Sequence, residues 1–88
     1  MDAAARPGLS LVIPAFNEAA VIGRAIAEAE AALGRHFRRF EIIVVDDGSS
    51  DATPVEVCRG CEAAAHARFL RHGVNRGYGA ALRTGFEA

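Results

Sequence analysis

Glu41-Ile42-Ile43-Val44-Val45-Asp46-Asp47-Gly48-Ser49-Ser50-Asp51 is an apolar run that stops on two adjacent carboxylates and a glycine turn. Four consecutive β-branched residues, Ile42 to Val45, suit a strand covered on both faces. Strands of that kind build open α/β sheets, which bind ligands just outside the carboxyl ends of their strands. Asp46 and Asp47 are therefore expected at a rim where a ligand would lie.

Working outward, Leu9 to Ile13 reads as a first strand, ended by Pro14 because proline cannot donate to a ladder. Asn17 suits a helix N-cap, and Ile22, Ile26, Ala29 and Leu33 recur at helical spacing between Ala19 and Leu33. Gly34 closes that helix. Arg35 to Phe40 form a basic connection, and the second strand runs from Glu41 to Val45. Beyond the acidic turn, Thr53 caps a second helix and Pro54 takes its first position. Val57, Cys61 and Ala64 supply one face of it, with Cys58 beside them. Ala67 to Arg71 is a short third strand, and the glycine-rich stretch Gly73 to Gly79 leads into a helix from about Ala80. Strand, helix, strand implies right-handed parallel crossovers. The expected fold is α/β, a Rossmann-like parallel-sheet β-α-β-α-β-α succession over residues 9–88, behind a disordered N-terminal tail at 1–8.

Composition bounds the function. With 51% hydrophobic and 24% charged residues, the 88-residue chain is globular, and a chain this short buries only about 60–65% of its surface on folding. A net charge of −1 and a pI near 6.3 give no footprint for nucleic acid or an anionic membrane. All ten basic residues are arginine, which carries little mechanistic weight. No apolar run approaches the roughly 20 residues that span a bilayer. The start, Met1 to Gly8, carries an acid and no long apolar core, so no secretory signal is read there and a cytoplasmic setting is expected. Cys58 and Cys61 form a C-x-x-C spacing, but His66 and His72 lack the paired spacing a zinc site needs. Cys58 lies about a turn inside its helix, away from the N-terminus that would activate a thiol. Core packing is the expected role of both cysteines.

If the strands are parallel, Pro14-Ala15-Phe16-Asn17-Glu18 and Asp46-Asp47-Gly48-Ser49 share one edge of the sheet. Carboxylates only accept hydrogen bonds, so they repel phosphate and favour ligands that present N–H or O–H groups. A nucleoside offers both. Uracil N3–H or the guanine N1–H and N2–H edge suits one aspartate, and ribose hydroxyls suit Glu18 or the other aspartate. Phe16 can pack flat against a base or sugar, and Pro14 fixes the backbone beside it. Each residue alone has a plainer role: Asp-Gly-Ser is turn chemistry, Glu18 favours a helix N-terminus, and Phe16 fills space. Their joint placement favours a ligand site.

Three stretches in order carry a resemblance: Leu11-Val12-Ile13-Pro14-Ala15-Phe16-Asn17-Glu18, Ile42 to Thr53, and Asn75-Arg76-Gly77-Tyr78-Gly79-Ala80-Ala81-Leu82-Arg83-Thr84-Gly85-Phe86. They resemble successive motifs of family 2 glycosyltransferases, and within that family the dolichyl- or polyprenyl-phosphate sugar transferases. The likeness covers Leu9 to Phe86. It implies a GT-A fold and transfer of a sugar from a UDP- or GDP-sugar, with polyprenyl phosphate as an acceptor. By the family pattern Pro14, Phe16 and Glu18 contact the nucleoside, with Phe16 standing where many members carry tyrosine. Val45 and Asp47 hold the base, and Asp46 shapes the turn or assists. Gly77 and Gly79 let the third stretch pass close to the nucleotide.

The family also implies a D-x-D-type motif that holds Mg²⁺ or Mn²⁺ against the diphosphate. Nothing after Asp51 supplies it: the later acids are Glu56, Glu62 and Glu87, in no such pattern. The resemblance therefore describes the N-terminal, nucleotide-binding portion of a longer transferase, with no metal bound by its own residues and no turnover by itself. A membrane is met only through regions beyond this portion, at its cytoplasmic face. The family sheet sets a further strand beside the first, so Leu9 to Ile13 is expected to be an open edge prone to self-association. Two rivals have a basis in the residues. A Rossmann dinucleotide domain needs G-x-G-x-x-G after the first strand, where Pro14 to Glu18 has no glycine. A receiver-type signalling domain would use Ile43 to Asp47 as its acidic strand, but that strand should come first and a later aspartate should follow. A non-catalytic nucleotide-binding fragment is the remaining alternative.

Overall fold

The computed structural model describes residues 8–73 and 76–87. Three strands and three helices alternate: β1 (Leu9–Ala15), α1 (Ile22–His36), β2 (Phe40–Asp47), α2 (Thr53–Ala63), β3 (Ala67–His72) and α3 (Tyr78–Glu87). The strands form one parallel sheet in the order β1-β2-β3, the α/β succession expected from the sequence. Of the tail expected at 1–8, residues 1–7 lie outside the described residues, and the Gly8 N–H donates to Arg39 O at 2.8 Å.

Side-chain alternation along β2 sorts the core into two layers. Phe40, Ile42 and Val44 pack with Ile22, Ile26 and Val57, so α1 and α2 cover one face. Ile43 and Val45 pack with Ala81, Val12 and Leu70, so α3 covers the other. Ile42, Val44 and Val45 are fully buried, as a two-sided strand requires.

Several boundaries differ from the sequence reading, each for a local reason. β1 runs through Pro14 to Ala15, with Pro14 opposite Val45. Among the described residues β1 has a strand neighbour on one side only, so a missing N–H is tolerated there. β2 extends two residues further, because Asp46 pairs with both Ala15 and Arg71, and Asp47 pairs with His72. α1 passes through Gly34 and ends at His36, where Arg35 and His36 complement the negative end of the helix dipole. Gly34 is not in the left-handed conformation that would stop a helix. Asn17 does not cap α1, which begins five residues later without a side-chain cap. α3 begins at Tyr78, where the Ala81 N–H already reaches Gly77 O. The cysteines divide: Cys61 packs against the core, while Cys58 is exposed with its thiol 3.6 Å from Glu62 Oε1. Burial, then the neighbouring Cys58, raises the Cys61 thiol pKa, so it stays a neutral packing group.

α3 sits close to β1 at one point. A Cβ on Gly85 would lie 2.3 Å from Val12 Cγ1 and 3.2 Å from its Cβ, and a β-branched side chain cannot swing clear. Gly85→Ala is therefore expected to destabilise the fold by about 1–3 kcal/mol, despite alanine's better helix propensity. Urea unfolding of the variant measures this, and an unchanged or raised midpoint would show that α3 can move off β1.

Candidate functional site

The carboxyl ends of β1 and β2 open into a cleft of about 230 Å³ lined by Pro14, Ala15, Phe16, Glu18, Asp47, Gly77 and Ala81. Four of the six residues chosen from sequence thus meet in one place. Phe16 is 44% exposed, which leaves its ring available to a ligand. Val45 and Asp46 do not line the cleft. Val45 is fully buried in the apolar layer that includes Ala81, directly below the lining.

The two aspartates separate because they are consecutive in a strand. Asp46 follows Ile42 and Val44 onto the α1/α2 face, where it is fully buried. It accepts the Ser49 hydroxyl and amide, and Arg71 Nε lies 3.5 Å from Oδ2. Asp47 follows Ile43 and Val45 onto the α3 face. Its Oδ1 accepts the Arg76 N–H at 2.9 Å and lies 2.8 Å from His72 Nδ1, and its Oδ2 accepts the Gly77 N–H at 2.8 Å. Burial pushes the Asp47 carboxyl pKa up, but the Arg76 amide, the His72 ring and the Gly77 amide outweigh it and hold the pKa below the usual carboxylate value.

Asn17 and the short polar residues of the second turn stitch together the two turns that follow β1 and β2. Asn17 adopts φ 50°, a conformation asparagine tolerates better than most residues, and Gly48 adopts φ 73°. The Asn17 N–H donates to Ser49 Oγ at 2.9 Å, and Asn17 Oδ1 accepts the Ser50 N–H at 2.9 Å. The Glu18 N–H donates to Thr53 Oγ1 at 2.7 Å, and the Thr53 N–H and hydroxyl both go to Asp51 Oδ1. The amides of residues 17–19 thus point across to the second turn instead of receiving caps of their own.

Sequence reading missed His72 and Thr84. His72 Nε2 lies 2.6 Å from Thr84 Oγ1, so the ring bridges Asp47 to α3. The signal was present in the register: once β2 is carried to Asp47, a parallel β3 of matching length sets His72 opposite it.

The Asp51 carboxyl is held below its usual pKa by the Thr53 hydroxyl and amide. Asp47 and Asp51 therefore share a sign. Each contributes stability that is complete above the unfolded pKa of about 3.9 and is lost as pH falls through its lower folded value. The expected urea midpoint is insensitive to these groups near neutrality and drops below about pH 4. Asp47→Asn should flatten that drop, and an equal acid response in parent and variant would refute the assignment.

Among the described residues no three His, Cys, Asp or Glu side chains converge as a metal site, and both aspartates give their oxygens to protein donors. The described residues do not fit a divalent cation.

A parallel sheet with a carboxylate-floored cleft at its carboxyl edge defines a Rossmann-like ligand-binding fold. The family model for glycosyl transferase family 2 matches residues 10–88, and the chain belongs to that family. Undecaprenyl-phosphate 4-deoxy-4-formamido-L-arabinose transferase of Pseudomonas syringae is 40% identical over 81 residues, 90% of this chain and 24% of the relative. Dodecaprenyl-phosphate galacturonate synthase of Rhizobium johnstonii is 40% identical with the same coverage, and dolichyl-phosphate beta-glucosyltransferase of Saccharomyces cerevisiae is 36% identical over 89% of this chain and 25% of its own length. A mannosyltransferase from Pyrobaculum calidifontis, solved with GDP-Man and Mn²⁺, superposes with a TM-score of 0.68 at 27% identity, covering 93% of this chain and 24% of that one. The fold is that of the GT-A glycosyltransferases. The chain spans about a quarter of the length of these relatives. No helix among the described residues is long and apolar enough to cross a membrane.

Proposed function

We propose that this chain is the nucleotide-sugar-binding segment of a glycosyltransferase that moves a sugar from a UDP- or GDP-linked donor to a polyprenyl-phosphate acceptor. The observation that carries the reading is the meeting of Pro14, Phe16, Glu18 and Asp47 in one cleft at the carboxyl edge of the sheet. Phe16 offers a platform for the base, Glu18 an acceptor for ribose hydroxyls, and Asp47 an acceptor for a base N–H. Gly77 and Ala81 keep the opposite wall low enough for close approach. Val45 supports that wall from beneath, and Asp46 holds the acidic turn in shape. The relatives are named for lipid-phosphate acceptors, and the solved neighbour holds a GDP-sugar with Mn²⁺. In this reading Mg²⁺ or Mn²⁺ and the acceptor belong to residues outside this chain, the segment alone has no turnover, and the parent works at the cytoplasmic face of a membrane. The open edge of β1 is the surface through which isolated segments would self-associate.

Titration calorimetry of the 88-residue chain with UDP, GDP, NADH, and acetyl phosphate with Mg²⁺ tests the reading. UDP or GDP should bind, and Phe16→Ala should weaken binding about tenfold without unfolding the chain, since the ring is half exposed. NADH binding would favour a dinucleotide domain, and phosphorylation of an aspartate a receiver; either overturns the proposal.

A further inference from the structure

What a ligand can do with Asp47 depends on how many of its acceptor positions the protein has already taken. A carboxylate offers about four, two on each oxygen. Oδ1 takes two donors, the Arg76 amide and His72 Nδ1, and is filled. Among the described residues Oδ2 takes one, the Gly77 amide, and so has one acceptor position left; Asp47 and Gly77 both line the cleft.

His72 is what fills Oδ1. Its side chain is buried, so no water competes for the contact. An ionised carboxylate cannot donate, so Nδ1 carries the ring proton. Nε2 lies 2.6 Å from the Thr84 hydroxyl, a group able to donate to it or accept from it. Thr84 thereby anchors the ring from α3, and the ring cannot flip without losing both bonds.

We propose that His72, set by Thr84, makes Asp47 a one-donor acceptor and so selects a uracil-type base over guanine. The inference rests on the nucleotide reading above. Uracil presents one N–H, N3–H, between two carbonyls, and a single open position on Oδ2 satisfies it. Guanine presents N1–H and N2–H side by side and needs both carboxylate oxygens. With Oδ1 filled, one guanine donor would be left desolvated and unpaired against the cleft wall. The base is then a property of this chain's own residues and not of the fold, whose solved neighbour carries GDP-Man. His72 is a positioning residue, since it acts on the base only through Asp47.

The test is the ratio of UDP to GDP affinity, measured by titration calorimetry on the full 88-residue chain. The two probes share ribose and diphosphate, so the ratio reads the base alone. The parent should prefer UDP by about tenfold. His72→Leu frees Oδ1 and should shrink the preference several-fold by gaining GDP affinity, whereas His72→Gln, which can keep an N–H on Oδ1, should retain it. Thr84→Val provides a milder second variant, expected to weaken the preference if His72→Leu does not fold. A gain of affinity for GDP is a change that mere structural damage does not produce. Equal or tighter GDP binding by the parent would overturn the inference while leaving nucleotide binding intact. A UDP preference unmoved in His72→Leu or Thr84→Val would overturn the role of His72. Failure of both nucleotides to bind would overturn the underlying reading itself.

Discussion

Asp47→Ala is expected to destabilise the fold by about 3 kcal/mol and to lower the melting temperature by about 15 °C. The figure follows from what the carboxylate holds. Removing it strips acceptors from the Arg76 and Gly77 amides and from a His72 ring that is only 6% exposed. The two amides can recover part of the loss from water in the cleft, but the His72 N–H cannot. For 88 residues the whole stability is about 4–13 kcal/mol, so this one side chain is a sizeable share of it. The same substitution removes the base acceptor, so nucleotide binding should vanish at temperatures where the variant remains folded. Thermal melts by circular dichroism check the first claim. A variant that melts within a degree or two of the parent would mean that Asp47 does not anchor the segment leading into α3.

Ile26→Ala should be comparably severe, at about 3–4 kcal/mol. Ile26 is fully buried in the layer between α1, α2 and the sheet. Its Cδ1 occupies the notch left by Gly60, where an added Cβ would stand only 2.8 Å away. Truncation leaves a cavity that two helices and a two-sided strand cannot close by local relaxation. The notch makes the claim sharper. Gly60→Ala alone is expected to cost about 1–2 kcal/mol by crowding Ile26. In the Ile26→Ala background the clash disappears and the helix propensity of alanine remains, so the same change should become stabilising by up to about 1 kcal/mol. Urea unfolding of the two single variants and the double variant measures the coupling, and simple additivity would show that the two side chains do not meet.

The apolar pattern made the element order and the inner helix face legible. Ile22, Ile26, Ala29 and Leu33 were chosen by spacing, and all four pack on the α1/α2 side of the sheet. The strand ends were less legible for a physical reason: Asp46, Asp47, Arg71 and His72 carry no apolar signal, and only ladder pairing with neighbours extends β2 and β3 over them. Two missing residues of strand concealed the alternation that sends Asp46 to one face and Asp47 to the other. They also concealed His72, whose partner lies 25 residues away in sequence. Asn17 suits a cap by residue type, and its actual bonds run to Ser49 and Ser50, more than thirty residues on. Contacts of that range are decided by how turns meet across a sheet edge, which local propensity does not encode.

The stitching of those two turns bears on how such a site can change. Asn17, Ser49, Ser50, Asp51 and Thr53 form one hydrogen-bonded unit although two separate segments encode them. A swap of either segment alone into a related scaffold would leave half of the bonds without partners, however well its own residues matched. Residues 14–19 and 46–53 should therefore behave as one inseparable cassette, transplanted or diversified together. The intervening helix α1 can meanwhile drift in sequence wherever its inner face is kept.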